Sequence, residues 1–515
     1  MKAIASLVLG CWAIALIFAN PPECRGAGLY QEPYRPQFHF TPEKNWMNDP
    51  NGLVFYDGEY HLFYQHNPFG DKWGHMSWGQ AVSRDLLHWE HLPVALAEEN
   101  GVMIFSGSAV VDWNNSSGFG KDSEPPIVAI YTGHYTTQPL QNQHIAYSTD
   151  RGRTWTKYSG NPVLDIGEKD FRDPKVRWHE PTKRWIMTVS WPVHRKVRFY
   201  ASPNLKDWKH LNDFGPAGST NGIWECPDLF PLQFEGAVKW VLIVNTGSDA
   251  PAGGSGCQYF IGNFDGERFT VDSSATNESE TALWADYGPD FYAAVSWSHI
   301  PKSDGRRLWI GWMSNWQYAN DVPTAPWRNA MSIPRELSLR KTADGLRLTQ
   351  QPAREMEKLR SDQHELKRGS LAEANTWLKQ AGITNQCLEL GFTIEPAASG
   401  QQGVKLFKRV DEETVVGIYR SKGRVYLDRS RSGNVAFHSK FPGAHSAPLT
   451  GSKDRVKFHI FVDACSVEVF INDGERVLTE LVLPSSGSRG LEFFGPETET
   501  RLTDLKLWSL QSVWK

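Results

Sequence analysis

"NWMNDPNGLVFYDGEYHLFYQHNP", Asn45–Pro68, is the stretch on which the fold turns. Leu53 and Phe55, then Tyr60, Leu62 and Tyr64, recur with a period of two. That spacing predicts two strands joined by a turn at Asp57-Gly58. Pro50 has no N–H, so it fits only at the start of a strand or on an edge. Asp49, between Asn48 and Pro50, therefore stands at a strand entry. Its plainest role is to cap a turn, the ordinary work of Asp-Pro and Asn-Gly pairs. The remaining sequence points to a second role.

At 515 residues two domains are the default expectation. The 22 Trp, 26 Phe and 16 Tyr supply core area and flat faces of the kind that stack on sugar rings. Long helical periodicity is scarce while Gly and Pro are frequent, so an all-β chain is expected. Net charge is −4 with mixed signs and no basic stripe, which excludes nucleic acid as a partner.

Lys2 precedes the apolar run Ala3–Ala19, and a Pro-Pro break follows at Pro21-Pro22. This is the pattern of a secretory signal peptide over residues 1–27, shorter than the roughly 20 residues of a membrane span. No stable membrane anchor is expected. "LVLGC", Leu7–Cys11, looks like a lipoprotein box, but the apolar run continues past Cys11. Cys24, Cys226, Cys257, Cys387 and Cys465 show no metal-type spacing. Asn114, Asn115 and Asn277 each open an Asn-x-Ser sequon.

Two phrases recur in step. "SRDLLHW" (Ser83–Trp89), "STDRGRTW" (Ser148–Trp155) and "SPNLKDW" (Ser202–Trp208) each set a polar turn before an aromatic plug, and "FDGERF" (Phe264–Phe269) is a degenerate copy. Alongside them, acid-plus-Pro strand entries stand at Asp49-Pro50, at Asp173-Pro174 and at Glu225-Cys226-Pro227. Another strand opens near Asp290 in "GPDFYAAVSW", and "IFSGSAVV" places Phe105 and Ser106 where the acid would be. Five such units predict a five-bladed β-propeller over residues 35–340. The first strand of every blade lines the central channel, so Asp49, Asp173 and Glu225 would share one funnel. Acids so gathered repel one another and spread their pKa values.

After "SIPRELSLR" (Ser332–Arg340) a linker is expected over 341–360, and "PAREMEKLRSDQHELKRGSLAEANTWLKQ" (Pro352–Gln380) reads as charged and partly helical. A β-sandwich over 361–515 follows. "DRVKFHIFVDACSVEVFINDGERVLTELVLP" (Asp454–Pro484) reads as three strands with an Asn-Asp-Gly turn. Glu468, on an alternating strand, is expected to face solvent. Cys465 suggests no function.

Two carboxyl groups across a glycosidic bond are the minimum for glycoside hydrolysis. Asn48 can orient Asp49 and keep it ionised as a nucleophile. Arg172 should keep Asp173 ionised. Glu225, among Trp224, Cys226 and Phe230, has a less polar setting that suits a general acid.

"WMNDPNG" (Trp46–Gly52), "FRDP" (Phe171–Pro174) and "WECPD" (Trp224–Asp228) resemble the three signature motifs of glycoside hydrolase family 32, the β-fructosidases. "IFSGSAVVDWNN", "FYAAVSW" and "GWMSNWQYANDVPT" are similar to its levanase and exo-inulinase branch. The resemblance covers nearly all of the chain after the leader. It implies a five-bladed propeller followed by a sandwich, with Asp49 as nucleophile, Asp173 as transition-state stabiliser and Glu225 as acid/base. It also implies fructosyl contacts from Asn48, Gln65, Trp73, Ser106 and Arg172, with Phe105, Tyr292 and Trp316 as further lining residues. No metal and no cofactor is implied. The implied partner is a small carbohydrate or a fructan polymer, cut by retaining hydrolysis of terminal β-D-fructofuranosyl units. The Asp-box-like "STDRGRTW" also matches sialidases, but those need a Tyr nucleophile and an Arg cluster, and only Arg172 stands at a strand entry. A fructosyltransferase on the same scaffold and a non-catalytic fructan-binding protein are the other readings. Retention of all three acids argues against the last.

Overall fold

The structure, a computed structural model, describes residues 28–514 apart from 122–123, 274–280, 384, 450 and 452–453. The expected leader over 1–27 and the sequon at Asn277 lie outside the described residues. Among those residues no helix is long and apolar enough to cross a membrane.

Five antiparallel sheets follow one another along the first part of the chain. Their innermost strands are β1 (Asn45–Tyr56), β2 (Val102–Val111), β3 (Arg172–His179), β4 (Trp224–Phe234) and β5 (Tyr292–Ser296). In the first sheet β1 pairs with Glu59–Asn67, that strand with Ser77–Ser83, and that with Trp89–Leu96. Each inner strand touches the next in chain order, and β5 returns to β1. A parallel pairing of Asn45 and Trp46 with Trp327 and Arg328 extends the first sheet.

The period of two in β1 predicts one wet face, yet the strand is buried almost throughout. Leu53 packs with Leu62, Trp297 and Ile310, while Val54 on the other face packs with Ala109 and Val111. Sheets on both sides cover it, so alternation here separates two cores rather than core from water.

The recurring polar turns have one construction. Asp85 Oδ1 accepts the N–H groups of Leu87 and His88, Asp150 Oδ1 those of Arg153 and Thr154, and Asn204 Oδ1 those of Lys206 and Asp207. Asp265 does the same for Glu267 and Arg268 in the degenerate copy. In the first three the closing Trp donates its indole N–H back to the turn, to Leu86, Gly152 and Leu205. These are side-chain-to-backbone turns that satisfy a loop while docking an aromatic ring.

The linker expected over 341–360 is largely absent. Gly345–Pro352 pairs along its length with Arg335–Thr342 and completes the fifth sheet, and Arg360–Ser370 already belongs to the next one. Of its charges Lys341, Arg354, Glu357 and Lys358 are exposed, while Arg347 and Glu355 are buried. Helix α1 (Leu371–Ala381) follows, opened by a capping box between Ser370 and Glu373 and closed by Gly382 at φ 59°.

The last part of the chain forms a six-stranded and a five-stranded sheet. Leu390, Phe392, Phe458 and Ile460 of one share a core with Val404, Leu406, Val416 and Ile418 of the other, so the sheets pack face to face. Cys465 is buried between this part and the first, among Tyr318, Trp327 and Phe441.

Glu468 corrects an expectation. Its side chain is fully buried, accepting from Ile333 N–H at 2.8 Å and contacting His39 Nε2 at 2.8 Å. Arg335 donates to its other oxygen and also reaches Asp286 at 3.1 Å. The face of this strand that points away from the sandwich core is covered by the first part of the chain, so an outward acid still meets no water.

His39 also contacts Asp463 through Nδ1 at 2.7 Å. Burial opposes its charge, but the hydrogen bonds it donates to Asp463 and Glu468 outweigh that and raise its pKa to about 9. A pKa raised on folding gives stability that is complete below the ordinary value of about 6.5 and is lost as pH rises through the folded one. His39→Gln should therefore flatten the fall in urea midpoint between about pH 6.5 and 9. An unchanged slope would place the titrating group elsewhere.

Candidate active site

All five inner strands break register near their entry. The bulges fall between Met47 and Pro50 in β1, Ile104 and Gly107 in β2, Arg172 and Lys175 in β3, Glu225 and Asp228 in β4, and Tyr292 and Val295 in β5. Asp173, Cys226 and Ala293 carry positive φ values of 66°, 45° and 53°. A bulge re-aims one side chain off the ladder. Five at one level gather Asp49, Ser106, Asp173, Glu225 and Tyr292 at one end of the ring.

The cavity there measures about 370 Å³ and is lined by Asp49, Asp173 and Glu225 together with Asn48, Gln65, Trp73, Phe105, Ser106, Arg172 and Trp316. Tyr292 alone of the expected residues does not line it. It stands behind Glu225 and donates its hydroxyl to Oε2. Trp73 is 41% exposed and forms the rim. Trp316 stacks on Trp46 with centroids 6.0 Å apart.

Asp49 is held from three sides. Ser106 Oγ donates to Oδ2 at 2.6 Å, Asn48 Nδ2 to Oδ1 at 3.0 Å, and Cys226 Sγ approaches Oδ2 at 3.5 Å. Trp46 in turn donates to Asn48 Oδ1 at 2.7 Å and fixes that amide. Burial pushes the Asp49 carboxyl above its ordinary pKa, against the pull of Ser106 and Asn48, and the Glu225 charge adds to the rise.

The charge of Arg172 favours ionised Asp173, as expected, but its hydrogen bonds go elsewhere. Its Nε donates to Glu225 Oε1 at 2.9 Å, and its Nη1 reaches Gln141 at 3.1 Å and Asp170 at 3.0 Å. Glu225 therefore sits in a polar setting, with Arg172 on one oxygen and Tyr292 on the other. Asp173 receives the N–H of Cys226 at 2.9 Å, and its carboxyl is raised by burial, with Glu225 and Asp49 reinforcing this against Arg172. The reason is strand geometry. The bulge between Arg172 and Lys175 turns both Arg172 and Asp173 into the cavity, and the longer Arg172 reaches across to Glu225 at the entry of β4.

Three lining residues were not foreseen: His134, Gln141 and Asp170. Asp170 lies in the bend just before β3 and accepts from Arg172 Nη1 at 3.0 Å. His134 stacks under Phe105 at 4.4 Å and Gln141 accepts from Phe171 N–H, contacts made from two further strands, Ile127–Tyr135 and Gln141–Ser148, that carry no motif.

Below the acids the strands are tied together. Asn51 donates to Asp49 O and accepts from Gly107 N–H, both at 2.9 Å. Ser108 bridges Pro174 O and Val176 N–H, and Asn245 donates to Cys226 O. These links give the cavity a floor.

Residues 39–352 match the model of the glycosyl hydrolases family 32 N-terminal domain, and residues 355–509 that of the family 32 C-terminal domain. The chain belongs to glycosyl hydrolase family 32. This family 32 chain is 48% identical to a levanase of Bacillus subtilis (strain 168), covering 100% of itself and 76% of that protein. It is 41% identical to an extracellular exo-inulinase of Aspergillus awamori, over 94% of itself and 96% of the relative. The crystal structure of exo-inulinase from Aspergillus awamori superposes with a TM-score of 0.85 at 38% identity, covering 94% of this chain and 100% of that one. A β-fructofuranosidase from Schwanniomyces occidentalis complexed with fructosyl-erythritol gives a TM-score of 0.82 at 32% identity, over 94% and 98%. As a member of this family the chain is a glycoside hydrolase.

Proposed function

We propose that this hydrolase removes terminal β-D-fructofuranosyl units from levan, inulin and sucrose, with retention through a fructosyl-enzyme intermediate. The carrying observation is the meeting of Asp49, Asp173 and Glu225 in one floored cavity beside Arg172. Asp49, oriented by Asn48 and Ser106, attacks the anomeric carbon. Glu225 protonates the departing glycosidic oxygen, then takes a proton from the water that releases fructose. Asp173 faces the ring and stabilises the positive charge that develops on it. The two donors on Glu225 match its ionised form, the one that activates water. In the first half-reaction the proton it gives away replaces one of those contacts.

The architecture that supports this reading is a five-bladed propeller followed by a β-sandwich, drawn from the closed ring of five inner strands. The leader-like Ala3–Ala19 run and the extracellular exo-inulinase relatives support secretion.

A cavity with a floor holds one terminal sugar and leaves the polymer outside. Early digests of levan or inulin by the purified chain should contain free fructose alone, resolved by anion-exchange chromatography. A ladder of short oligosaccharides in the first minutes would rule out attack from the chain end. No fructose from any of the three substrates would favour a binding protein instead.

A further inference from the structure

Four of the inner strands, β2 to β5, border a second cavity, at their opposite end, of about 380 Å³. Its charged and titratable lining comes from Lys175 and Arg177 of β3, Asp228 of β4, and His299, Lys302 and Arg307 beyond β5, beside the neutral polar Asn114, Ser296 and Ser298. Asp228 is the one carboxylate among the described residues that line it, and it is already engaged. It accepts Ser296 N–H at 2.7 Å and lies 3.6 Å from Lys175 Nζ.

The guanidinium groups have weaker anchors. Arg177 Nη1 donates to Leu229 O and Arg307 Nη1 to Trp297 O, each at 3.1 Å. Neither forms an ion pair among the described residues, and the buried Nε of Arg177 has no hydrogen-bond partner. Burial, reinforced by Arg307, pulls Arg177 down to about 9, and burial with Arg177, Arg307 and Lys175 pulls His299 down to about 4. Like charges thus share a poorly hydrated space, a costly arrangement unless an anion answers it.

We propose that this cavity binds a small multivalent oxyanion of the phosphate class. A sugar would ask for mixed donors and acceptors, whereas these walls offer chiefly donors. Guanidinium groups match tetrahedral oxyanions through paired charge-assisted bonds. The volume far exceeds the ~30 Å³ share of one water, so such an ion fits with part of its hydration shell. The site is separate from the acids, divided from them by the links of Asn51, Ser108 and Asn245.

Titration calorimetry of the full chain at fixed ionic strength tests this, with inorganic phosphate in one arm and glycerol phosphate in the other. One saturable site is expected for inorganic phosphate. Binding of the free ion alone assigns an enclosed site, and comparable binding of both assigns one open to phosphoryl groups. Arg177→Gln should weaken binding at least about tenfold, as loss of a hydrogen bond to a charged group implies. Lys302→Gln, at an exposed position, keeps the test valid if the first variant does not fold, and should weaken binding roughly two- to fivefold. No saturable heat in either arm, or wild-type affinity in the folded variants, would overturn the proposal.

Discussion

Glu225→Gln is expected to slow sucrose hydrolysis by about 10²–10⁴-fold, the usual cost of losing a general acid. The amide keeps the size of the carboxyl group and can still meet Arg172 or Tyr292, but it has no proton to give the leaving oxygen. An aryl fructoside, whose leaving group departs without protonation, should recover much of the loss in the first step. Asp49→Asn behaves differently because the attacking oxygen itself is removed. Ser106 and Asn48 still hold the side chain, so substrate binds, yet no fructosyl-enzyme forms and the aryl substrate rescues little. Rapid-quench kinetics with mass spectrometry of the protein distinguishes the two. Rescue of Asp49→Asn together with no rescue of Glu225→Gln would reverse the assignment.

Arg335→Met should lower unfolding stability by roughly 3–5 kcal/mol, the range for removing one partner of a buried ion pair. Arg335 is fully buried, and its guanidinium bonds Asp286, Gln350, Glu468 and Thr479. Two of these partners, Glu468 and Thr479, come from the C-terminal sheets, so the variant takes the ion-pair partner from buried Asp286 and leaves buried Glu468 with His39 alone as a cation. Guanidinium chloride denaturation followed by tryptophan fluorescence measures the effect. A midpoint equal to that of the parent chain would mean that water enters the seam and solvates the acids. Replacing Arg335, Asp286 and Glu468 together by apolar residues of similar volume should restore much of the loss, because no orphaned charge remains.

Much of the site was legible because its acids stand in short rigid contexts. Asp49-Pro50 and Asp173-Pro174 announce strand entries through the missing proline N–H, and "WECPD" repeats that signal with one residue inserted. The recurring Asp and Asn turns were legible for a similar reason, since each is built from bonds between residues two to four apart. His134 and Gln141 were not, because they meet Phe105 and Arg172 from two further strands whose own sequences give no cue. The hydrogen bond from Arg172 to Glu225 was not legible either, because it joins β3 to β4 across 53 residues of sequence.

Local chemistry in the chain was thus sufficient for the all-β class, the repeated turns and the strand entries at which the three acids stand. Each of these depends on dihedral limits or contacts within a few residues. Tertiary structure alone decided that both faces of β1 are dry, that Gly345–Pro352 is a strand rather than a linker, and that Glu468 is buried against His39 and Arg335. Those outcomes depend on which surface covers which, and a covering sheet can lie hundreds of residues away. The period of two states which side chains share a face, and only the packed neighbour determines whether that face meets water.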